Sequence, residues 1–282
     1  PRGQFELLAA DVGQGSAVLV RTARHALLFD AGPRYGQDSD AGQRVLVPLL
    51  RALGVQLDKL VLSHQDSDHI GGAGAVLVAQ PQAELLSSFM PPGALAHSVD
   101  VCLAGQRWHW DGVDFEMLHP FTYDAGQQRG SNAMSCVLRI SNRSQSALLT
   151  GDIEQAQEAA LVQRHQPGRT ERTLGLAGGV SAAGISRLPG LQADVLVVPH
   201  HGSKTSSSEL FLDAVQPRIA VVQAGYRNRF GHPFGPVLVR YTDRQVLVID
   251  TPHCGALTWR SWQANVPVCQ RQVNRHYWQH QF

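Results

Sequence analysis

"VLSHQDSDHIGG", Val61 to Gly72, holds two histidines and two aspartates within six consecutive residues. It follows the apolar run "LDKLVLS", which reads as a strand, and leads into "GGAGAVLVAQ", which reads as a helix of small residues. In extended backbone His64, Asp66 and Asp68 project to one side, and His69 turns in as the helix begins. Neighbouring carboxylates repel, so one would have to stay protonated unless a cation neutralises the group. Imidazoles and carboxylates are the usual ligands of divalent metals. On a strand–loop–helix junction, HxDxDH therefore predicts a metal site in preference to a solvated loop with a capping aspartate.

Other strand ends supply partners. "LLFDAG" places Asp30, "LLTGD" places Asp152, and "VVPHHGS" places His200 and His201 at the ends of apolar runs. Singly, Asp30 reads equally as a turn residue and Asp152 as a helix N-cap. Recurrence at four strand ends points to one shared site, because α/β folds build sites there.

The rest of the chain gives a frame for that site. Strands are read in "FELLAADVG", "SAVLVRT", "HALLFDAG", "AELLSSF", "ADVLVVPHHGS", "IAVVQAG" and "QVLVID". Hairpins are read in "QRWHWDGVDFEMLHP", which turns at Asp111-Gly112, and across "SCVLRISN" and "SALLTGD". Helices are read over Gln43 to Gly54, in "EQAQEAALVQRH", in "GPVLVRYTD", and in "SSELFLDAVQP" with serines at its N-cap. Strands with interspersed helices, without strict βαβ alternation, predict a layered α/β sandwich with mixed sheets. Pro167 to Gly190 is Gly/Ala/Ser-rich and is expected to be a long mobile loop or insertion.

The 282 residues are 43% hydrophobic, enough for a real core. The net charge of +1 divides into −4 over 1–152 and +5 over 153–282. The basic half suits an anionic partner, and chance asymmetry accounts for it equally well. Lys59 and Lys204 are the only lysines, against 22 arginines. No apolar run approaches the ~18 residues of a membrane span, and no signal peptide precedes "PRGQFELLAADVGQG", which suggests a piece of something larger. The four cysteines lack CxxC spacing, so a cysteine zinc site is not expected. Cys254 and Cys269 bracket a short segment, and a disulfide between them and a pair of free thiols both stay open. The aromatic, arginine-bearing tail 263–282 reads as a packed or frayed terminus more than as a nucleic-acid contact.

"HQDSDH" resembles the HxHxDH motif of the metallo-β-lactamase superfamily, with Asp66 in the place of the second histidine. "LLFDAG" and "LLTGD" resemble further motifs of that superfamily. "DVGQGSAVLV", "SHQDSDHIGG", "LLTGD", "VPHHGSKTSS" and "RNRFGHP", in that order, are similar to the C-terminal domain of ComEC-type DNA-internalisation proteins. The resemblance implies a metallo-β-lactamase αββα sandwich with two mixed β-sheets over 1–262 and two divalent metal ions, Mn²⁺ or Zn²⁺. It implies His64 and Asp66 on one metal, Asp68 and His69 on the other, and Asp152 bridging. His200 is favoured to complete the second metal, with His201 adjacent and not separable from it by sequence. Asp30 is expected to orient the ligand loop by hydrogen bonds. The chemistry is assigned to Asp68, Asp152, His201 and His232, the last on the site rim. Ser203, Lys204, Thr205, Ser206, Arg227 and Arg229 are candidates to hold phosphates.

Two departures stand out. Ser16 occupies a place where the family usually carries aspartate, and the third-motif histidine has no clear counterpart, His119, Asn132 and Ser135 being nearest. The function implied is a nuclease domain of a DNA-uptake channel that degrades the strand not taken up. Its partners would be single-stranded DNA and the membrane-channel domain of the same protein, at the extracytoplasmic (periplasmic) face of the bacterial inner membrane. The alternatives are a hydrolase of a small ester, lactone or thioester, and a catalytically silent DNA-binding module.

Overall fold

The computed structural model describes residues 1–90, 98–122, 130–165 and 190–274. The expected mobile loop 167–190, apart from Gly190, lies outside the described residues, as does the tail beyond Asn274.

The first half builds β1 (Glu6–Ala9), β2 (Val18–Arg21) and β3 (Ala26–Phe29), a small ribbon of β4 (Arg34–Gly36) and β5 (Ser39–Asp40), and a helix whose wider first turn, Gly42–Leu46, continues as α1 (Val47–Ala52). Then come β6 (Lys59–Leu62), the short α2 (Ser67–Ile70), α3 (Ala73–Ala79), β7 (Glu84–Ser87) and β8 (Val99–Val101). The second half runs β9 (Arg107–Trp110), β10 (Val113–His119), β11 (Val137–Ser141), β12 (Ser146–Leu149), α4 (Gln155–Arg164), β13 (Val195–Val197), α5 (Glu209–Val215), β14 (Ile219–Val222), α6 (Gly235–Thr242) and β15 (Leu247–Asp250). It closes with α7 (Thr251–Cys254), β16 (Leu257–Arg260), β17 (Val268–Cys269) and α8 (Gln270–Val273).

Two large sheets result, in the orders β17-β16-β1-β2-β3-β6-β7-β8 and β15-β14-β13-β12-β11-β10-β9. Both are mixed. The first is antiparallel up to β3 and parallel from β3 to β8. The second is antiparallel from β9 to β12 and parallel from β12 to β15.

Side-chain alternation explains the layers. Val18, Val20, Val61, Val195 and Val197 point between the sheets, into a core with Phe29, Phe115 and Trp259. Their neighbours Leu19, Leu60 and Leu62 face outward under α1 and α3, while Leu196 and Val198 face outward under α4, α5 and α6. Strands apolar on both faces need cover on both, and the helices supply it, giving αββα.

Several elements had no clear sequence signal. β8, β16 and β17 are short additions at or near the sheet edge. The segment 263–274 extends that edge through β17, and Cys269 is disulfide-bonded to Cys254. A second disulfide, Cys102–Cys136, was not anticipated; it joins the end of β8 in one sheet to the start of β11 in the other.

Candidate metal centre

The parallel strands β3, β6, β12, β13 and β14 end on one rim of the sandwich, and each end delivers a polar group. β6 runs into His64 and, through α2, to Asp68 and His69. β3 delivers Asp30, β12 delivers Asp152, and β13 enters the turn Pro199–Gly202. Close approach dictates the glycines at two of these ends. Gly151 adopts φ +54°, and a Cβ there would meet Ser63 at 2.9 Å and Ser135 at 3.0 Å. A Cβ on Gly72 would lie 2.3 Å from the Gly42 nitrogen.

Three histidines meet at the floor. The Nε2 of His69 lies 3.1 Å from Asp152 Oδ1 and 3.2 Å from the Nε2 of His201. The Nε2 of His201 lies 3.3 Å from Asp68 Oδ2 and 3.6 Å from Asp152 Oδ2. The Nε2 of His64 faces Asp152 at 3.8 Å and Asp66 at 3.7 Å. Potential ligand atoms gather in two overlapping sets, His64–His69–Asp152 and Asp68–His69–His201, each with all atoms within 4.8 Å of one another.

The opposite ring nitrogens set the tautomers. Asp30, wholly buried at φ +60°, accepts from the backbone N–H of Ser63 (2.7 Å), the Ser63 hydroxyl (2.9 Å) and the Nδ1–H of His69 (2.7 Å). With its hydrogen given to Asp30, the Ser63 hydroxyl accepts from the Nδ1–H of His64 at 2.9 Å. His201 donates its Nδ1–H to the Gln223 carbonyl at 2.7 Å. With Nδ1 so committed, each of the three rings, once its Nε2 gives up a proton, turns a lone pair into one space that already holds carboxylates.

The buried Nε2 of His64 has no hydrogen-bond partner among the described residues. Burial pushes the Asp68 carboxyl up, but the His201 hydrogen bond and the His69 charge outweigh it and hold it at about 2. Burial likewise opposes charge on Asp152 and His69, yet each holds the other charged. Asp152 falls well below the carboxylate range, and His69 rises well above the imidazole range with help from Asp30. Converging lone pairs, buried carboxylates and an orphaned nitrogen suit a divalent cation, which would take the place of the protons these groups otherwise compete for.

The turn after β13 corrects the order of its histidines. Both have left-handed backbone, φ +49° at His200 and +53° at His201, a strained pair for residues with side chains. The twist buries His201 against the floor and leaves His200 on the rim. There the Nε2 of His200 is 3.7 Å from Asp152, and its Nδ1 lies near Glu154 and Thr205 at 3.4 and 3.3 Å. Of the three third-motif candidates, none joins either ligand set. His119 binds the Ser135 carbonyl through Nδ1 (2.7 Å), the Ser135 hydroxyl accepts from the Asp152 N–H (3.1 Å), and Asn132 stands beside His200 at 3.5 Å.

Two of the phosphate candidates are also corrected. Ser206 is fully buried and donates to the Pro199 carbonyl at 2.8 Å, and Thr205 donates to Glu154 at 2.8 Å; both brace the loop. Ser203 is buried with its hydroxyl 3.2 Å from Thr205. Lys204, Arg227 and Arg229 are exposed, and His232 lies over the site with its ring 5.7 Å from His200 and 6.3 Å from His201. Sequence reading missed Gln223. Besides receiving His201, its side chain accepts from the Ser16 hydroxyl (3.0 Å) and donates to the carbonyls of Ala10 and Ala17 (2.9 and 3.0 Å). Ser16 thus makes a contact of its own across the two sheets.

Comparison with known proteins agrees with this fold. Residues 10–88 match the Metallo-beta-lactamase superfamily. The chain is 36% identical, over 99% of its length, to "Competence protein ComA" of Neisseria gonorrhoeae, of which it covers 36%. It is 33% identical, over 99% of its length, to "Recombination protein 2" of Haemophilus influenzae, of which it covers 31%. The chain therefore spans about a third of the length of these relatives. Among solved structures, the metallo-beta-lactamase fold protein YhfI from Bacillus subtilis aligns with a TM-score of 0.53 at 14% identity, over 92% of this chain and 99% of that one, a likeness of fold.

Proposed function

Since the chain carries a metallo-β-lactamase domain, we propose that it is a metal-dependent phosphodiester hydrolase acting on DNA, the nuclease domain of a DNA-uptake channel. The observation that carries the reading is the pair of ligand sets sharing His69, with Asp152 facing all three imidazoles, at a rim that also presents Lys204, Arg227 and Arg229. Relatives named for competence and recombination support DNA as the substrate.

In this reading His64, Asp66, Asp68, His69, Asp152 and His201 hold two divalent ions, Mn²⁺ or Zn²⁺. The aspartate-rich donor set, harder than a histidine-rich one, favours Mn²⁺. Bound cations supply Lewis acidity and neutralise charge on the phosphodiester. The chain's own residues do the rest. Asp30 and the Gln223 carbonyl fix the rings of His69 and His201, the exposed arginines attract the anionic backbone, and His232, whose ring lies over the site, is the candidate to give a proton to the leaving oxygen.

Two disulfides suit an oxidising compartment, and no helix among the described residues is long and apolar enough to cross a membrane. The disulfides fit a domain on the extracytoplasmic face of the inner membrane, joined to a channel domain within a longer protein.

The test is hydrolysis of end-labelled single-stranded DNA with EDTA, Mn²⁺, Mg²⁺ or Zn²⁺, beside Asp68→Ala. Cleavage that needs both metal and Asp68 is expected. Metal binding without any DNA cleavage would overturn the reading in favour of small-ester chemistry or a silent DNA-binding module.

A further inference from the structure

The loop between β14 and α6 carries a feature the metal chemistry does not use. Tyr226, Phe230 and Phe234 are 54%, 53% and 42% exposed. Exposed large rings in that number on one short loop mark an interaction surface. Arg227 and Arg229 alternate with them, their guanidinium carbons 5.2 Å from the Tyr226 ring centre and 4.8 Å from that of Phe230. Neither arginine is paired with a carboxylate among the described residues.

The rings point the way to the floor. Phe230 lies 5.7 Å from His232 at an interplanar angle of 23°, and His232 lies 6.3 Å from His201 at 21°. Three near-parallel rings thus step from the surface down to the ligand sets.

The loop is also built in advance. The Asn228 side chain accepts from the N–H groups of Phe230 (3.2 Å) and His232 (3.0 Å) and donates to the Gly225 carbonyl (2.9 Å). Gly225 N–H donates to Gln14, and Phe234 N–H donates to the Gly202 carbonyl beside His201, at 2.9 and 2.8 Å. Gly202 has no side chain because Pro233 packs on it; a Cβ there would come within 2.7 Å.

Exposed rings alternating with cations match a polymer that alternates flat apolar faces with anions. Unpaired nucleotides have this form, whereas a duplex hides its base faces. We propose that Tyr226 and Phe230 are a stacking platform for unpaired bases, with Arg227 and Arg229 on the flanking phosphates, and that this platform directs single strands to the metal centre. The role at the metal centre rests on the phosphodiesterase reading; the base-stacking surface does not.

The test uses the full chain in EDTA, so that binding is read without cleavage. Fluorescence anisotropy would compare an oligothymidylate, an abasic strand of equal length, a duplex and anionic phosphatidylglycerol vesicles, for the wild type, a Tyr226→Ala/Phe230→Ala variant and Phe230→Tyr. Oligothymidylate affinity is expected to fall about tenfold to a hundredfold in the double variant, as loss of base–aromatic stacking does, and to be kept by Phe230→Tyr. The abasic strand and the duplex are expected to bind more weakly than oligothymidylate to the wild type and to respond little to the substitutions. Equal oligothymidylate affinity in wild type and double variant overturns the proposal. So does equal binding of the abasic strand, or vesicle binding alone. Wild-type hydrolysis of bis-para-nitrophenyl phosphate with Mn²⁺ judges the phosphodiesterase reading separately.

Discussion

His69 is wholly buried, and both of its ring nitrogens face committed partners, Asp30 on one side and Asp152 with His201 on the other. Phe230, on the far side of His232, stands half in solvent beside the Arg229 guanidinium. Floor and rim belong to one site and follow opposite rules. A cation is held by lone pairs whose direction must not drift, so each floor ring is locked through its other nitrogen. On the proposed reading, a strand that arrives and leaves needs faces that are flat, reachable and already in place, and the rim spends its hydrogen bonds on backbone while its rings stand exposed. Strain collects where the two meet, at the left-handed His200–His201 pair.

The sharpest way to break the floor is Asp152→Ala, which removes the carboxylate that all three imidazoles face. Metal-dependent DNA hydrolysis should fall to background while near-ultraviolet circular dichroism keeps the wild-type form.

Asp30→Asn should do less. It keeps shape but replaces one acceptor oxygen by an NH₂ group opposite either Ser63 or His69, so ring orientation is lost in part. Metal affinity measured by calorimetry should drop roughly 10–100-fold, the usual cost of an outer partner of a ligand histidine.

Glu158 tests the brace beneath the rim. It is buried and accepts from the N–H groups of Ser207 and Ser208 at 2.5 and 2.8 Å. Glu158→Gln leaves one of them facing an amide NH₂, at about 1–3 kcal/mol of stability. Burial raises the Glu158 carboxyl above its ordinary 4.5 despite those hydrogen bonds. The folded state then holds its proton more tightly than the unfolded chain. This stabilising contribution is complete below pH 4.5 and is lost as pH rises through the raised folded value. Thermal melts should show the gap between wild type and Glu158→Gln largest at low pH and narrowing across that window; a gap that widens would contradict the assignment.

Ser16→Ala should have the smallest effect. It deletes one neutral hydrogen bond to Gln223, for about 0.5–1.5 kcal/mol in chemical denaturation. Because the Gln223 side chain keeps its bonds to Ala10 and Ala17, His201 should keep its position and metal affinity should hardly change.

How much of this was legible in the sequence follows the range of each interaction. His64, Asp66, Asp68 and His69 lie within six residues, so their spacing alone marked them as one candidate site, of which His64, Asp68 and His69 enter the ligand sets. Continuous apolar runs in β1, β2, β6 and β13 announced strands covered on both faces, and with them the layers, because successive side chains of a strand point to opposite faces. The ends of β3, β12 and β13 could be marked as polar, which placed Asp30, Asp152 and the His200–His201 pair. Tertiary structure decided the rest. Adjacent residues of a turn have no inherent inside, so only the left-handed twist against β14 could put His201 on the floor and His200 on the rim. Cys102 and Cys136 lie 34 positions apart in different sheets, and only the stacking of those sheets brings them together. Gln223 carries no motif, since it works through its backbone carbonyl and a side chain that reaches Ala10 and Ala17, beside β1 and β2 and more than 200 residues away in sequence. Local pattern sets which element a residue joins; which neighbours it meets is settled only when the elements pack.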